Sequence, residues 1–385
     1  MNKVPNNIVE RIKRMNKAVY LFIHPFNLKN KLLPALFALL ILCGCSEEDN
    51  VRDEFFYLRN DEADMPVYVQ GNALSDVFII LLHGGPGGSS HIYNSGSMDF
   101  EERIENLYNV VYYDQRSSGI SKGKFPDSKL TVDQHVEDLR QLILLIKSKY
   151  GEAISIFLMG HSWGGTLGTA YLLKNNYQWD INGWIEVSGA HNYYGMQALI
   201  GNFRQVARAQ ISQNNSEDFW NEVLDYIDDV DPDDATDQQI SRINSYGYNA
   251  ETHLLEDDVI AYEGSGLSRV EILSKMVNFY FFSGYDFVQA NVNSFLTSSQ
   301  LGMFDELKRL DYTPQLSQIR IPSFLIWGKY DMVVPVELGY SGYENLGTPP
   351  RHKYLLILDR AGHSVIISHS HTVVEQLKKF VTIYK

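Results

Sequence analysis

Short, mainly apolar runs recur along the chain, and each stops at a loop rich in glycine or charge. Val77–Leu82 runs into His83-Gly84-Gly85-Pro86-Gly87-Gly88, and Val110–Tyr113 into Asp114-Gln115-Arg116. Ile154–Met159 runs into Gly160-His161-Ser162, and Trp184–Val187 into Ser188-Gly189. Ser323–Trp327 ends at Gly328-Lys329-Tyr330-Asp331, and Tyr354–Leu358 at Asp359-Arg360-Ala361-Gly362-His363. Helical periods lie between several of them, at Val132–Tyr150 and Gly165–Lys174, and a last helix is expected at Thr372–Phe380. Upstream, residues 54–59 and 66–70 read as an antiparallel pair turned at Asn60-Asp61-Glu62. Strands that are apolar on both faces and alternate with helices predict a largely parallel sheet covered on both sides. In such sheets ligands sit outside the carboxyl ends of the strands. The loops from His83 onward should therefore converge on one crevice.

Residues 191–312 break this rhythm. They read as mostly helical, are rich in Tyr and Phe, and carry the acidic block DYIDDVDPDDATD at 225–237. The pattern predicts a helical cap inserted between the sixth and seventh strands. The core then falls into two parts, 54–190 and 313–385.

The N-terminus has a different character. Residues 1–31 hold seven basic residues against one acid, Glu10, and the apolar run Leu32–Leu42 follows. Eleven residues are too few for a comfortable membrane span of ~20. A basic region, a short apolar region and a small residue read together as a secretory signal. Leu42-Cys43-Gly44-Cys45-Ser46 resembles a bacterial lipobox, with Leu at −3, Gly at −1 and Cys45 as the lipidated residue; Cys43 fits worse, having Leu42 at −1. The expected organisation is a signal over 1–44 and a lipidated tether over 45–53. Translation from Met15 would shorten the basic region to an ordinary length. The tether's acidic Ser46-Glu47-Glu48-Asp49-Asn50 resembles the stretch that marks surface-exposed lipoproteins of Bacteroidetes-type bacteria. The expected location is the bacterial cell envelope, at the outer membrane and lipid-anchored.

Charge and cysteine content narrow the chemistry. The formal net charge is −14 over 385 residues, and removing 1–44 takes it to about −20. No basic groove for phosphates is evident, which argues against a nucleic-acid partner. Both cysteines lie at the signal junction, so the mature body has neither a disulfide nor a catalytic thiol.

Gly160-His161-Ser162-Trp163-Gly164 is a G-x-S-x-G, with an apolar strand before it and a helix-like segment after it. That is the strand-to-helix context in which a serine nucleophile sits on a tight turn. A serine hydroxyl needs a base within hydrogen-bond reach and a third group to orient that base. The order serine, acid, histidine is met by Ser162, Asp331 and His363, each at the end of a strand. Among rivals, His161 neighbours the nucleophile and should point elsewhere, and His83 should order its loop. His369 and His371 read as surface residues, and Asp114 as a structural acid holding loops together. The Gly-rich 83–88 loop has no Gly-Lys-Ser/Thr or G-x-G-x-x-G that would suit it to phosphate. Its expected task is to supply the N–H of Gly85 which, with that of Trp163, forms an oxyanion hole.

HGGPGG at 83–88, DQR at 114–116 with Gly119 and Ser121, GHSWGG at 160–165, GKYD at 328–331 and AGHS at 361–364 together resemble the proline iminopeptidase (prolyl aminopeptidase) family. The resemblance covers about 54–190 and 315–385. It implies an α/β-hydrolase fold: a mostly parallel eight-stranded sheet with helices on both faces and a helical cap after strand 6. It also implies release of an N-terminal residue, often proline, from short peptides, without metal or cofactor. Ser117 departs from the family's usual glycine. The cap glutamates with which family peptidases read a free amine have no motif here; Glu251, Glu256 and Glu263 are available, but each taken singly reads as an acid on a solvated face.

Three functions follow in order of expectation. The first is an aminopeptidase for small or prolyl N-termini, with an acidic cap suited to a cationic amine. The second is a carboxylesterase or other acyl hydrolase with the same triad, in which Phe279-Tyr280-Phe281-Phe282 line an acyl pocket, with plain core packing the alternative for most of them. The third is a surface lipoprotein that binds ligand without catalysis.

Overall fold

In the computed structural model, residues 50–93, 103–192, 196–263, 285–299 and 301–385 are described. The proposed signal, Cys45 and the aromatic run 279–282 lie outside them. Two strands open the fold, β1 (Val51–Asn60) and β2 (Ala63–Asn72), paired antiparallel from Val51↔Asn72 to Asn60↔Ala63. Asp61 and Glu62 form the two-residue turn between them, both at positive φ (46° and 65°), as a hairpin turn matched to right-handed strand twist requires. Both strands run further than their apolar cores suggest. Val51, Arg52 and Asp53, expected in the tether, are in β1, paired with Asn72, Gly71 and Gln70. Backbone pairing carries the strand through Arg52 and Asp53, where no apolar signal marks it.

The sheet continues through β3 (Val77–Leu82), β4 (Asn109–Tyr113), β5 (Lys122–Gly123), β6 (Ser155–His161), β7 (Gly183–Val187), β8 (Ser323–Gly328) and β9 (Lys353–Leu358). Its order is β1-β2-β4-β3-β6-β7-β8-β9. Contacts from β4 onward are parallel, and those of β1 with β2 and β2 with β4 are antiparallel. The expected eight strands are thus present. The ninth is the two-residue β5, which pairs with Ala63 and Asp64 of β2 and is too short to leave a sequence pattern.

Strand β3 shows why the apolar runs are unbroken. Phe78, Ile80 and Leu82 enter one core, while Val77, Ile79 and Leu81 enter the other. Successive side chains point to opposite faces, and here both faces are covered. The first core takes in Leu139, Leu142, Ile143 and Ile146 of α1 (Val132–Tyr150), together with Leu167 and Tyr171 of α2 (Trp163–Leu173). Later elements on the described chain include α8 (Val336–Asn345), α9 (Val365–Ser368) and α10 (Ser370–Tyr384). The second core receives Val373, Leu377 and Phe380 from α10. Helix α1 starts where expected because the Thr131 side chain accepts the N–H of Gln134 as an N-cap (3.1 Å).

Between β7 and β8 lie α3 (Met196–Ser212), α4 (Glu217–Asp228), α5 (Asp237–Glu256), α6 (Phe287–Ser299) and α7 (Leu301–Lys308). The first three share a third core, built on Phe203, Trp220, Ile227, Ile243 and Leu254. Met332, from the loop after β8, is fully buried in that same core. Residues 50–385 form one compact unit, helices and sheet together.

The DQR run ties the loops to this frame. Asp114 is fully buried; its Oδ1 accepts Ser89 Oγ, Ser90 N and Ser90 Oγ at 2.8–3.0 Å, and its Oδ2 accepts Ile120 N at 2.8 Å. It holds the loops after β3 and β4 together, the structural role expected of it. Burial pushes its carboxyl upward in pKa against the pull of those hydrogen bonds. Arg116 makes a buried two-pronged ion pair with Asp138 of α1, and its remaining N–H groups cap the carbonyls of Asn60 and Asp61 in the hairpin turn. Next in line, Ser117 stands at φ 55°, a left-handed conformation unfavourable for any residue with a Cβ. Its carbonyl accepts the buried Thr297 hydroxyl of α6. A glycine would adopt this backbone without strain but would lose more entropy on folding. Ser117→Gly is therefore expected to stabilise the protein by about 0.5–1 kcal/mol. Urea denaturation reads this directly, and an unchanged or lowered midpoint would contradict it.

Candidate active site

Ser162 sits between β6 and α2 at φ 56° and ψ −120°. No regular element uses this conformation, which costs on the order of 1–3 kcal/mol and persists only where the surroundings enforce it. The enforcing contacts are close. The Ser162 N–H donates to the Val187 carbonyl (3.0 Å), and the Ser162 carbonyl accepts from Gly165 N–H (2.8 Å). A Cβ on Gly164 would lie 2.0 Å from the Leu82 carbonyl oxygen, and one on Gly160 would lie 2.3 Å from that of Gly164. The glycines of the motif thus let β3, β6 and the start of α2 approach closely enough to form the bend.

The loop after β3 closes on this bend. A Cβ on Gly84 would lie 3.3 Å from Ser162 Cβ, and Gly85 and Ser162 line one cavity. Trp163 is the first residue of α2, so its backbone N–H has no carbonyl within the helix to serve. Its indole is fixed instead, with Nε1 donating to Gln115 Oε1 at 2.7 Å. Gln115 also donates its backbone N–H to His83 Nε2 (3.1 Å) and its side-chain amide to the His83 carbonyl (3.2 Å). His83 gives its Nδ1 proton to the Gly84 carbonyl (2.8 Å). Burial lowers the His83 pKa to about 4, so the ring is a neutral loop-ordering group, as expected.

Asp331 and His363 meet beside the loops after β8 and β9. His363 Nδ1 lies 2.9 Å from Asp331 Oδ2 and 3.1 Å from Oδ1. Asp331 is fully buried, and its Oδ1 also accepts the N–H groups of Val333 (3.0 Å) and Val334 (2.8 Å). Burial works to lower the His363 pKa, but the charge and hydrogen bond of Asp331, helped by Glu251, outweigh it, and the net direction is upward. Among the described residues no hydrogen bond links the Ser162 hydroxyl to His363. The Asp331–His363 contact is formed and no Ser162–His363 hydrogen bond accompanies it; hydrogen bonds of this kind often tighten only with substrate bound.

Two groups near the site make contacts that the sequence does not announce. His161 does turn away from Ser162, but toward His363: its Nε2–H donates to the His363 carbonyl (3.1 Å), and the two rings lie 4.8 Å apart. Its Nδ1 accepts the Tyr93 hydroxyl (2.7 Å), and burial lowers its pKa to about 3. Glu251 Oε1 accepts the N–H of both Met332 (3.1 Å) and His363 (2.8 Å). It is not a solvated surface acid. Glu263 likewise is bound: it accepts the Thr372 N–H (3.2 Å) and hydroxyl at the start of α10. Glu256 stays on the surface, 3.9 Å from His253. His369 is buried beside Ser368, contrary to the surface expectation, because it lies where α9 meets α10; His371 is exposed.

The cavity over Ser162 measures about 180 Å³. Its walls are largely apolar, with Met196 and Leu199 of α3, Ile240 of α5 and Leu338 of α8. Asn244, Tyr248 and Lys308 add polar groups, and no carboxylate is among the described lining residues. Groups of three or more His, Cys, Asp or Glu placed to hold a metal are absent among the described residues.

A family profile described as serine aminopeptidase, S33, matches residues 76–229. A probable aminopeptidase of Bacillus subtilis (strain 168) is 24% identical over 288 residues, 74% of this chain and 82% of the relative. A proline iminopeptidase of Saccharolobus solfataricus is 27% identical over 309 residues, 79% of this chain and 84% of the relative. Among solved structures, a proline iminopeptidase-related protein of Thermus thermophilus superposes with a TM-score of 0.52 at 21% identity, covering 86% of this chain and 98% of that one. The chain is an α/β-hydrolase in fold, and in sequence it resembles the proline iminopeptidases.

Proposed function

We propose that the protein is a serine hydrolase that releases the N-terminal residue of short peptides through an acyl-enzyme. The observation that carries this reading is the strained Ser162 bend opening on the same cavity as Gly85, with the neighbouring His161 tied to the His363 of the buried Asp331–His363 pair. Ser162 Oγ attacks the carbonyl carbon, and His363 Nε2 takes its proton. Asp331 holds the Nδ1 proton of His363 and balances the imidazolium charge. The N–H groups of Gly85 and Trp163 receive the oxyanion. The tetrahedral species collapses, His363 protonates the departing amine, and water then hydrolyses the acyl-enzyme by the same steps in reverse order. The aminopeptidase names of the relatives favour peptides as substrates.

One observation favours the second reading, an esterase or other acyl hydrolase. The described cavity wall is largely apolar, and its one cation, Lys308, is itself paired with Asp237 and Asp305. An acyl chain would suit such a wall as well as a prolyl ring. A proline arylamide, its N-acetyl counterpart and a simple aryl ester separate the two. The expected outcome is rapid cleavage of the free-amine arylamide, little of the acetylated one, and a loss on the order of 1000-fold or more in Ser162→Ala. Equal cleavage of blocked and free arylamide, or ester cleavage alone, would move the assignment to the esterase.

Attachment to the cell envelope through Cys45 belongs to the same proposal. Its support is the basic region, short apolar run and Leu42-Cys43-Gly44-Cys45 pattern. Wild-type protein is expected in the detergent-extractable envelope fraction, and Cys45→Ser is expected to leave it. An unchanged distribution of Cys45→Ser would contradict the anchor.

A further inference from the structure

The two loops that carry Asp331 and His363 leave adjacent strands, β8 and β9, and must hold a fixed register for their side chains to meet. Part of that register comes from the cap. Helix α5 projects Glu251 onto both loops at once, and a single oxygen, Oε1, accepts Met332 N–H and His363 N–H. The approach is tight, since a Cβ on Gly362 would fall 2.4 Å from Glu251 Oε2. Neighbouring cap groups reinforce the grip. Asn202 of α3 donates to the Asp331 carbonyl (2.9 Å), Ala261 N–H donates to the Arg360 carbonyl (2.9 Å), and Glu263 N–H donates to the Ser368 carbonyl (2.7 Å).

We propose that Glu251 is a positioning residue of the catalytic apparatus. Its carboxylate staples the acid loop to the histidine loop, and its charge stabilises the imidazolium that forms when His363 takes the Ser162 proton. This rests on the serine-hydrolase reading above. Two backbone donors converging on one carboxylate oxygen make a charge-assisted pair, and a negative group near His363 favours the protonated ring.

The groups facing Glu251 determine how its charge varies. Burial and the nearby Asp331 raise its pKa, His363 and the two N–H donors lower it, and it comes to rest at about 7. The phenols of Tyr248 and Tyr262 also face it and are raised, chiefly by burial and partly by its charge. Glu251 is thus ionised above neutrality, where His363 must act as a base, and uncharged below it. Because an ionised Glu251 raises the His363 pKa, removing its charge must lower that pKa and carry the acid limb of kcat/KM to lower pH.

Glu251→Gln keeps an oxygen to accept both N–H groups and loses the charge, whereas Glu251→Ala loses both. With the arylamide or the ester, whichever the wild type cleaves, Glu251→Gln should lower kcat roughly tenfold with KM little changed. Its acid limb should move down by about half a unit or more. Glu251→Ala should lose roughly 100-fold, the cost of a small misplacement of reacting groups. The imidazole titration of His363, followed by NMR in histidine-labelled protein without substrate, should fall in the same direction in Glu251→Gln. A wild-type pH profile and His363 titration in Glu251→Gln would overturn the proposal. So would a rise in KM alone, which would make Glu251 a substrate contact. Wild-type inactivity on both substrates would defeat the hydrolase reading instead, and the NMR titration would still decide whether Glu251 governs His363.

Discussion

The site turns on the buried contact between the Asp331 carboxylate and His363 Nδ1. A carboxylate with no solvent exposure is tolerable only if its lone pairs are met, and here they are met by Val333 N–H, Val334 N–H and the imidazole. The contact fixes which ring nitrogen of His363 bears the proton and leaves Nε2 as the ring's other nitrogen, outside this pair. Most of the surrounding architecture serves this geometry. Strands β8 and β9 bring the two loops side by side, α3 and α5 grip them, and His161 holds the His363 carbonyl from the Ser162 turn. The strained Ser162 backbone is enforced from the opposite side, by β3, β6 and β7.

Much of this is legible in the sequence because both-face burial leaves unbroken apolar runs. Strand β3 matches its run from Val77 to Leu82, and α1 its helical period from Val132 to Tyr150. Position in the chain marks Asp114 and His83 as structural, and their hydrogen bonds agree. Chain order and strand ends pick out Asp331 and His363, and they do meet. Where backbone pairing or tertiary contact decides, the pattern falls silent. Arg52 and Asp53 look like tether yet pair with β2, and Lys122–Gly123 is too short to announce a strand. Glu251 carries no local signal, because an acid on a helix looks the same whether it faces water or a buried loop. Only the close approach of α5 to the loops after β8 and β9 gives it a role.

The cap emerges as more than a cover. It shares a hydrophobic core with the acid loop through Met332, and its segment from Glu251 to Glu263 runs hydrogen-bonded along the histidine loop as far as α10. Loop geometry and cap position are therefore coupled by construction. The Ser117 departure belongs to the same interface: the strained residue offers its carbonyl to Thr297 of α6, so the loop after β4 is also held from the cap side.

The proposed chemistry requires Ser162 to be a nucleophile activated at this site. The most direct measurement is labelling of the folded protein with a fluorophosphonate probe, with the modified residue located by peptide mass spectrometry. A single adduct on Ser162, absent from Ser162→Ala, is expected. Failure to label, or an adduct that persists on another serine when Ser162 is removed, would contradict it.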